Sequence, residues 1–367
     1  MNILVWSSWV CHPAGGQERV ALELASQLHQ RGHRVALVGP YDNCAELREK
    51  IPAAMPYYHF DIHRHKLKPH FAAARLIDRV IRTHQIEVVS AHGSVVAPSA
   101  ACRRRRVPLV WTIQGAAAEP TDWLGRIKQL TVRRVISDKL TYLVGVSQAT
   151  AETLRHRLAR PDPNKVHLIH NGIIGAAALN AVPLPRPGPP WRLGFVGRLA
   201  ERKQPLQLVE IARRLEGRLD YRFDVFGDGP LSEPLRDAIR RHGLEQRFVL
   251  HGYWDRGSAG MISQFSVLVH TDREEPFGGA LLEAQLGGRP VVAYCVGGNP
   301  EIVEHSRTGW LTALDDLEGM AAGILAVTGE NFTGLAAAAR ERMRNKFSAS
   351  GMADQYIELF SRVCQNH

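Results

Sequence analysis

The chain is poor in cysteine. It has five cysteines in 367 residues, and no two of them form a Cys-x-x-Cys pair. This count argues against a disulfide framework and a zinc knuckle, and it favours a reducing compartment. No apolar run approaches the roughly 20 residues that a membrane-spanning helix needs. The start of the chain, residues 2–6, is typical of a strand and not of a signal peptide. We therefore predict a cytoplasmic protein, with at most peripheral membrane contact.

Several motifs that would indicate a function are missing. Aromatic residues make up only 7% of the chain, and no nucleic-acid-binding module is recognisable, so we expect no nucleic-acid partner. Asp-x-Asp, His-Glu-x-x-His and Gly-x-Ser-x-Gly are all absent. The histidines near residues 59–70 lack a cysteine partner and are typical of a solvated basic loop. We accordingly expect no metal ion and no cofactor.

Positive charge is in excess, and it is unevenly distributed. The net charge is +10. Residues 1–190 hold 25 Lys+Arg and 13 Asp+Glu (25 − 13 = +12), whereas residues 191–367 hold 21 and 23 (21 − 23 = −2). Such asymmetry indicates an anionic partner for the first half, and charge alone does not choose between a nucleic acid and a membrane surface. Because aromatic residues are few and no nucleic-acid-binding module is recognisable, we favour the membrane surface. Residues 123–134 mix apolar and basic side chains, which fits a helix on an anionic membrane or a helix packed on a sheet.

Short apolar strands alternate with amphipathic helices almost throughout the chain. This rhythm predicts an α/β fold with parallel sheets covered by helices on both faces. Residues 181–190 contain five prolines, which predicts an extended linker because proline disfavours helices and central strands. We therefore predict two doubly wound, Rossmann-like domains, at 1–180 and 191–349, separated by this linker.

The most informative motif spans residues 270–284, where two glutamates, Glu275 and Glu283, flank a Phe-Gly-Gly turn. A helix that begins near Phe277 would direct free N–H groups at an anion. Glu283 would then be placed to accept hydrogen bonds from ribose hydroxyls, and Glu275 to contact a transferred sugar. The alternative is an ordinary amphipathic helix, since acidic residues are favoured near a helix N-terminus.

Two other loops follow predicted first strands. Arg198 and Lys203 lie five residues apart and could clamp a diphosphate, although a solvated basic loop is the alternative. Gly15 and Gly16 permit close backbone approach to a ligand, or simply a tight turn, and they lack the dinucleotide-binding spacing. Further glycine turns, at 170–172, 225–230 and 297–301, follow predicted strands at the sheet edge where α/β proteins bind ligands.

In this order and spacing the motifs resemble glycosyltransferase family 4. The resemblance covers nearly the whole chain. It implies the GT-B fold, with two Rossmann-like domains facing each other across a cleft and the C-terminal helix 350–367 packed on the first. It also implies sugar transfer from a nucleotide-diphospho-sugar with retention of configuration.

The resemblance also implies roles for individual residues. Arg198 and Lys203 would bind the donor diphosphate, Glu283 the ribose, and Gly16 would approach the diphosphate from the other domain. The sugar and distal phosphate would be held by Glu275 and by the amides of Phe277, Gly278, Gly279 and Ala280. The base would lie near Gly227 and Tyr253. Acceptor or sugar contacts would come from Gly15, His92 and Gln114.

The chain departs from the family pattern at Gln114, where relatives usually have histidine. A glutamine can hydrogen-bond a sugar hydroxyl but cannot carry charge. His92 either compensates for that loss or is a core histidine. The resemblance favours a UDP-sugar over GDP-mannose, and a saccharide or lipid-linked acceptor in lipopolysaccharide or capsule synthesis at the inner membrane. A sugar-nucleotide epimerase of the same fold, or a non-catalytic basic membrane- or nucleic-acid-binding protein, is the alternative.

Overall fold

The computed structural model describes residues 1–8, 16–61, 67–115, 132–157, 162–254 and 257–367. These residues form two compact units. The first comprises residues 1–174 together with 349–367, and the second comprises residues 175–348. The first unit is therefore built from both ends of the chain, with the second unit inserted between them.

Every strand of the described residues lies in one of two parallel sheets, whose order is β3-β2-β1-β4-β5-β6-β7 in the first unit and β10-β9-β8-β11-β12-β13 in the second. The strands are β1 (Asn2–Ser7), β2 (Arg34–Gly39), β3 (Tyr57–His59), β4 (Val88–His92), β5 (Leu109–Ile113), β6 (Thr141–Gly145), β7 (Val166–Leu168), β8 (Trp191–Val196), β9 (Tyr221–Phe226), β10 (Phe248–Gly252), β11 (Val267–His270), β12 (Val291–Tyr294) and β13 (Gly309–Thr312).

Helices connect the strands. They are α1 (Gly16–Gln30), α2 (Ala45–Arg48), α3 (Leu67–Thr83), α4 (Val96–Arg105), α5 (Gln148–Arg157), α6 (Ala176–Ala181), α7 (Gln207–Leu215), α8 (Ser232–Arg241), α9 (Ser258–Ile262), α10 (Gly279–Leu286), α11 (Asn299–Ile302), α12 (Leu317–Val327), α13 (Phe332–Lys346) and α14 (Ala349–Gln365). None of the helices in the described residues is long and apolar enough to cross a membrane.

The first sheet is buried on both faces. Ile3 and Val5 belong to one core cluster, and Leu4 and Trp6 to another, because alternate residues of a strand point to opposite faces. On the first of these faces α14 packs beside α1, and its Tyr356 hydroxyl hydrogen-bonds Thr112 Oγ1 of β5 at 2.7 Å. The C-terminal helix is thus part of the first core.

The proline-rich segment 181–190 is attached to the second unit. Arg289 Nη1 donates to the carbonyl of Pro183 at 2.8 Å, and Arg340 Nη2 donates to that of Val182 at 2.6 Å. The division between the units accordingly falls at Gly175, ahead of the predicted linker. The predicted linker therefore belongs to the second unit and does not separate the two. Arg289 and Arg340 hold it there, because they donate to backbone carbonyls that have no partner strand.

Strand order reverses between β1 and β4 in the first sheet and between β8 and β11 in the second. In a doubly wound sheet, ligands bind beyond the carboxyl ends of the strands at this reversal. In the second unit, the loops that begin at Gly197 and Thr271 leave β8 and β11 at this point. The fold thus brings together the two motifs with the clearest sequence signal.

Candidate functional site

The loops after β8 and β11 are joined by hydrogen bonds to backbone carbonyls of the first loop. Thr271 Oγ1 donates to the carbonyl of Lys203 at 2.7 Å, and the Arg273 amide donates to the carbonyl of Arg202 at 3.1 Å. A short 3-10 turn at 201–203 ends at Gln204, whose φ is +48°. These bonds fix the start of the Lys203 side chain relative to residues 271–275.

The ammonium of Lys203 lies between two carboxylates. Its Nζ is 2.7 Å from Asp272 Oδ2 and 2.9 Å from Glu275 Oε2. Asp272 has no exposed surface, and the side chains of Glu275 and Lys203 are only 10% and 14% exposed. Ionic contacts in so enclosed a place are screened far less by water than surface pairs are. This contact joins residues that are about 70 positions apart in the chain.

Only one oxygen of Glu275 is engaged by the protein. Oε2 accepts from Lys203 and lies 3.2 Å from His270 Nε2. Oε1 has no hydrogen-bond partner within the described residues. Burial raises the pKa of Glu275, but the Lys203 ammonium and the His270 hydrogen bond outweigh it and hold that pKa below its usual range. Glu275 is therefore an ionised carboxylate with one anchored and one available oxygen.

His270 is the neutral partner in this cluster. Burial, reinforced by the charge of Lys203, lowers the pKa of His270 despite the opposing pull of Glu275. A neutral imidazole donates through one nitrogen only, and a carboxylate oxygen can only accept. We therefore assign the proton to Nε2, which makes His270 a hydrogen-bond donor to Glu275.

His270, Asp272 and Glu275 offer ligand atoms that all lie within 4.8 Å of one another. Such a group has the residue types that bind divalent cations. Here, however, the Lys203 ammonium already contacts both carboxylates. Arg202 Nη1 also lies 3.0 Å from Asp272 Oδ2, so the two carboxylates face two cations that belong to the chain itself.

The Phe-Gly-Gly turn opens α10, as the sequence predicts. Gly278 is the N-cap, and its carbonyl accepts from the amides of Leu281 and Leu282. Among the described residues the amides of Gly279 and Ala280 have no acceptor, and Gly279 is exposed with open space around it. Two free N–H groups thus lie next to Glu275, at a helix end that favours negative charge.

A second glycine turn supports this first one. The Gly298 amide donates to the carbonyl of Glu275 at 2.8 Å. Gly297 has φ +52°, and a Cβ there would lie 2.0 Å from the same carbonyl oxygen. Phe277 is buried and its ring contacts Phe347, with 5.7 Å between centroids. Glycines 297–298 are therefore required, because a side chain at either position would collide with the backbone near Glu275.

Arg198 and Glu283 are placed differently from the Lys203 cluster. Arg198 directly follows Gly197 and is exposed, and its guanidinium forms no ion pair or hydrogen bond within the described part of the chain. Glu283 is half-buried on α10, four residues after Gly279. The second unit therefore presents a free guanidinium, free amides and a half-buried carboxylate at one edge of its sheet.

The predicted base region is more crowded than the sequence suggests. A Cβ at Gly227 would lie 1.9 Å from the carbonyl oxygen of Gly197, so this glycine is needed for backbone packing. Tyr253 is 55% exposed. His251 stacks on Phe226 at 4.3 Å and hydrogen-bonds the buried Asp224 at 2.8 Å. The sequence predicts no role for Asp224 or Asp272, because the partners of an aspartate in or after an apolar strand are distant in sequence and are known only from the fold.

In the first unit, Gln114 and Asn171 form a reciprocal amide pair. Gln114 Nε2 donates to Asn171 Oδ1 at 3.2 Å, and Asn171 Nδ2 donates to Gln114 Oε1 at 2.8 Å. The pair joins the carboxyl ends of β5 and β7. Gly16 is exposed at the start of α1. Gly15 lies outside the described residues, as does the segment 116–131, which includes most of the predicted basic helix.

His92 is enclosed in the core of the first unit. It has no exposed surface, and its Nε2 lies 3.3 Å from Ser90 Oγ. Burial lowers the pKa of His92 to about 4. The ring packs 6.3 Å from that of Tyr356 on α14. The structure thus places His92 as a neutral core histidine, without direct access to a ligand.

Family models match both units. A model described as "Glycosyltransferase Family 4" matches residues 14–174, and one described as "Glycosyl transferases group 1" matches residues 190–330. Among curated proteins, the 2-deoxystreptamine glucosyltransferase of Streptomyces kanamyceticus is 26% identical over 331 residues, which is 89% of this chain and 82% of that protein. The lipopolysaccharide core biosynthesis glycosyltransferase LpsD of Rhizobium meliloti is 27% identical over 46% of this chain and 48% of its own length.

Solved structures show the same architecture. A glycosyltransferase from Rickettsia africae superposes with a TM-score of 0.83 at 20% identity, covering 100% of this chain and 99% of that one. Anabaena HepE in complex with UDP and glucose superposes with a TM-score of 0.75 at 21% identity, covering 98% and 99%. At these identities the likeness establishes the fold, which is GT-B, as the resemblance implied.

Proposed function

Because the chain belongs to the family 4 glycosyltransferases and has the GT-B fold, we propose that it is a retaining enzyme that moves a sugar from a nucleotide-diphospho-sugar. A UDP-sugar is the first donor to test, since the HepE structure of similar fold contains UDP and glucose. The observation that carries the proposal is Glu275, whose Oε2 is held by Lys203 and whose Oε1 is left for a substrate.

The second unit would bind the donor through groups that are already in place. Glu275 Oε1 would accept a hydrogen bond from the sugar, and the amides of Gly279 and Ala280 would donate to the distal phosphate. Glu283 would bind the ribose. Arg198 and the remaining N–H of Lys203 would stabilise the negative charge that develops on the leaving diphosphate.

In this reaction the bond between the anomeric carbon and the phosphate oxygen breaks, and the acceptor oxygen bonds to the same face of the sugar. The acceptor proton passes to the leaving phosphate oxygen. No strong protein base is needed, so the protein contributes positioning and charge stabilisation. This role suits a site whose carboxylate is held ionised and anchored at one oxygen.

We also propose that transfer needs no divalent cation. Lys203 and Arg202 supply positive charge at Asp272 and Glu275, which is a role that a divalent cation could otherwise fill. Dialysis against EDTA should leave the rate unchanged, and adding Mg²⁺ or Mn²⁺ back should not raise it. A rate that falls with EDTA and recovers with one of these ions would contradict this part of the proposal.

For the acceptor, we propose a saccharide or lipid-linked saccharide at an anionic membrane surface. Exposed arginines on the first unit support this partner. On α3 and just after α4, Arg75, Arg79 and Arg106 are exposed and form no ion pair within the described residues, and Phe71 is 71% exposed on α3. The name of the Streptomyces kanamyceticus relative instead suggests a small aminocyclitol, so an acceptor panel should include both classes.

The test is sugar transfer from a panel of UDP-, GDP-, ADP- and dTDP-sugars by the wild type, Glu275→Gln and the matched control Glu274→Gln. Glu274 is the adjacent exposed carboxylate. We expect Glu275→Gln to lower the rate about a hundredfold, because it removes charge from the oxygen that faces the sugar. The control should stay within about twofold. A rearranged sugar formed without any acceptor would indicate an epimerase, and equal rates for the two variants would exclude this site assignment.

A further inference from the structure

Asp272 is the member of the Lys203 cluster to which neither the motifs nor the family resemblance gives a role. It has no exposed surface. Its Oδ1 accepts from the Glu274 amide at 3.0 Å, which holds the carboxylate in the turn after β11. Its Oδ2 faces two cations, Lys203 Nζ at 2.7 Å and Arg202 Nη1 at 3.0 Å. A buried carboxylate, held by a backbone hydrogen bond, therefore contacts the lysine.

The ammonium of Lys203 has three N–H groups. Glu275 Oε2 accepts one of them. Asp272 Oδ2 lies 2.7 Å from Nζ as an ion-pair partner, so at least one N–H remains for a third partner. The hydrogen bond to Glu275 and the ion pair with Asp272 together restrict the position of the ammonium, whereas a single contact would let it turn freely. The geometry thus limits where Lys203 Nζ can meet a donor phosphate.

Asp272 also limits how strongly Lys203 pairs with Glu275. With Asp272 present, the ammonium is shared between two carboxylates at nearly equal distances. Without that charge, Lys203 would pair with Glu275 alone and draw it away from the sugar. The carboxylate of Asp272 therefore holds the ammonium in a position shared between the two acids, 2.7 Å from one and 2.9 Å from the other.

We propose that Asp272 is a positioning residue for the transfer reaction, because its buried carboxylate orients the Lys203 ammonium between itself and Glu275. It touches no substrate and acts through Lys203. This inference rests on the proposed function, since the reaction it serves is sugar transfer from a nucleotide-diphospho-sugar. It extends that function by assigning a role to a residue outside the motifs.

The experiment compares Asp272→Asn with Asp315→Asn, a matched control. Asp315 accepts from Arg273 at 3.0 and 2.7 Å and so holds the same loop without touching Lys203. Turnover of the donor is measured together with the dissociation constant of UDP, by calorimetry. We expect Asp272→Asn to lower kcat about tenfold or more, with UDP binding unchanged or a few-fold tighter, because loss of a negative charge favours a bound diphosphate. Asp315→Asn should change both quantities by less than about threefold.

A second comparison separates positioning from a general structural role. Lys203→Met alone should lower turnover at least as much as Asp272→Asn, and the double variant should be no slower than Lys203→Met, since residues that act as a unit are not additive. Thermal unfolding checks that each variant folds. If Asp272→Asn does not fold, Asp272→Ser replaces it in the same assays.

Three results would overturn the inference. The first is a kcat of Asp272→Asn close to that of the wild type. The second is that Asp272→Asn loses kcat and UDP affinity in parallel. The third is that the kcat losses of Asp272→Asn and Lys203→Met multiply in the double variant. Failure of the proposed function itself has a different signature, because then the wild type would neither bind UDP or another nucleoside diphosphate nor transfer sugar.

Discussion

At the scale of single residues, the neighbouring groups decide whether a buried side chain is charged. Glu275 is buried yet ionised, because Lys203 and His270 outweigh the cost of removing its charge from water. His92 is buried with no such partner, and burial alone lowers its pKa to about 4. The same environment therefore keeps one group charged and the other neutral, according to what lies next to it.

His92 should make the stability of the protein depend on pH in a defined window. Its folded pKa of about 4 lies below the ordinary value of 6.5, so the unfolded chain takes up the proton first as the pH falls. Stability is complete above pH 6.5 and is lost between there and pH 4. At pH 5 the loss is about 2 kcal/mol, and it reaches about 3 kcal/mol below pH 4.

Urea unfolding at pH 7 and pH 5 measures this loss for the wild type, for His92→Gln and for His59→Gln. His92→Gln should show a smaller decrease between the two pH values, because glutamine does not titrate. His59, whose side chain is 37% exposed, serves as the control and should retain the wild-type decrease. An unchanged pH dependence in His92→Gln would mean that other groups are responsible.

At the scale of elements, glycine turns position the site. The turn at 297–298 lies against the backbone of Glu275, and Gly227 lies against Gly197. The contacts are between backbones, so they leave no room for a Cβ. Loops of different strands are thereby locked to one another at the edge where the ligand would bind.

Gly297→Ala should destabilise the second unit and reduce transfer. The new Cβ would meet the carbonyl oxygen of Glu275 at 2.0 Å, and φ at this position is +52°. We expect a loss of about 2–4 kcal/mol, of which the left-handed backbone accounts for about 1 kcal/mol. Chemical unfolding measures the stability, and donor turnover measures the effect on Glu275.

Gly243→Ala separates the two contributions. Gly243 has φ +64°, but no atom lies within 4 Å of its added Cβ. This control should therefore lose only about 1 kcal/mol and keep full turnover. If both alanine variants lost the same stability, the close approach to Glu275 would have no energetic weight.

Much of this architecture could be predicted from the sequence. The alternation of apolar strands and amphipathic helices predicts two parallel sheets, and the Phe-Gly-Gly motif predicts the start of α10. The partners of Lys203 could not be predicted, since they depend on two loops that meet only after both sheets form. The attachment of the proline-rich segment was hidden for the same reason, because Arg289 and Arg340 are distant in sequence.

At the scale of the whole molecule, the excess positive charge belongs to the first unit. Asp78 pairs with Arg82, Arg104 and Arg105. Arg75 and Arg79 of α3, and Arg106 just after α4, are exposed and form no ion pair within the described residues. Their charge is available to a partner, whereas most exposed arginines of the second unit pair with acidic neighbours.

The triple variant Arg75→Gln, Arg79→Gln and Arg106→Gln should bind anionic vesicles more weakly than the wild type. Each arginine near such a surface contributes about 1 kcal/mol, and raising the salt concentration should weaken binding of the wild type. Co-sedimentation with phosphatidylglycerol vesicles measures the effect, with phosphatidylcholine vesicles for comparison. The control triple variant changes Arg236, Arg240 and Arg307, which pair with acidic neighbours on the second unit. Equal binding by both triple variants would place the membrane contact elsewhere.

The return of α14 to the first unit has a consequence for synthesis on the ribosome. The second unit is continuous from 175 to 348, so it can fold as soon as it emerges. The first unit, although it is translated first, lacks Met352, Tyr356 and Phe360 from its core until the last helix leaves the exit tunnel. We expect nascent chains halted just after residue 348 to expose the α1 face of the first sheet to chaperones and proteases. The half of the protein that is made first is thus completed last.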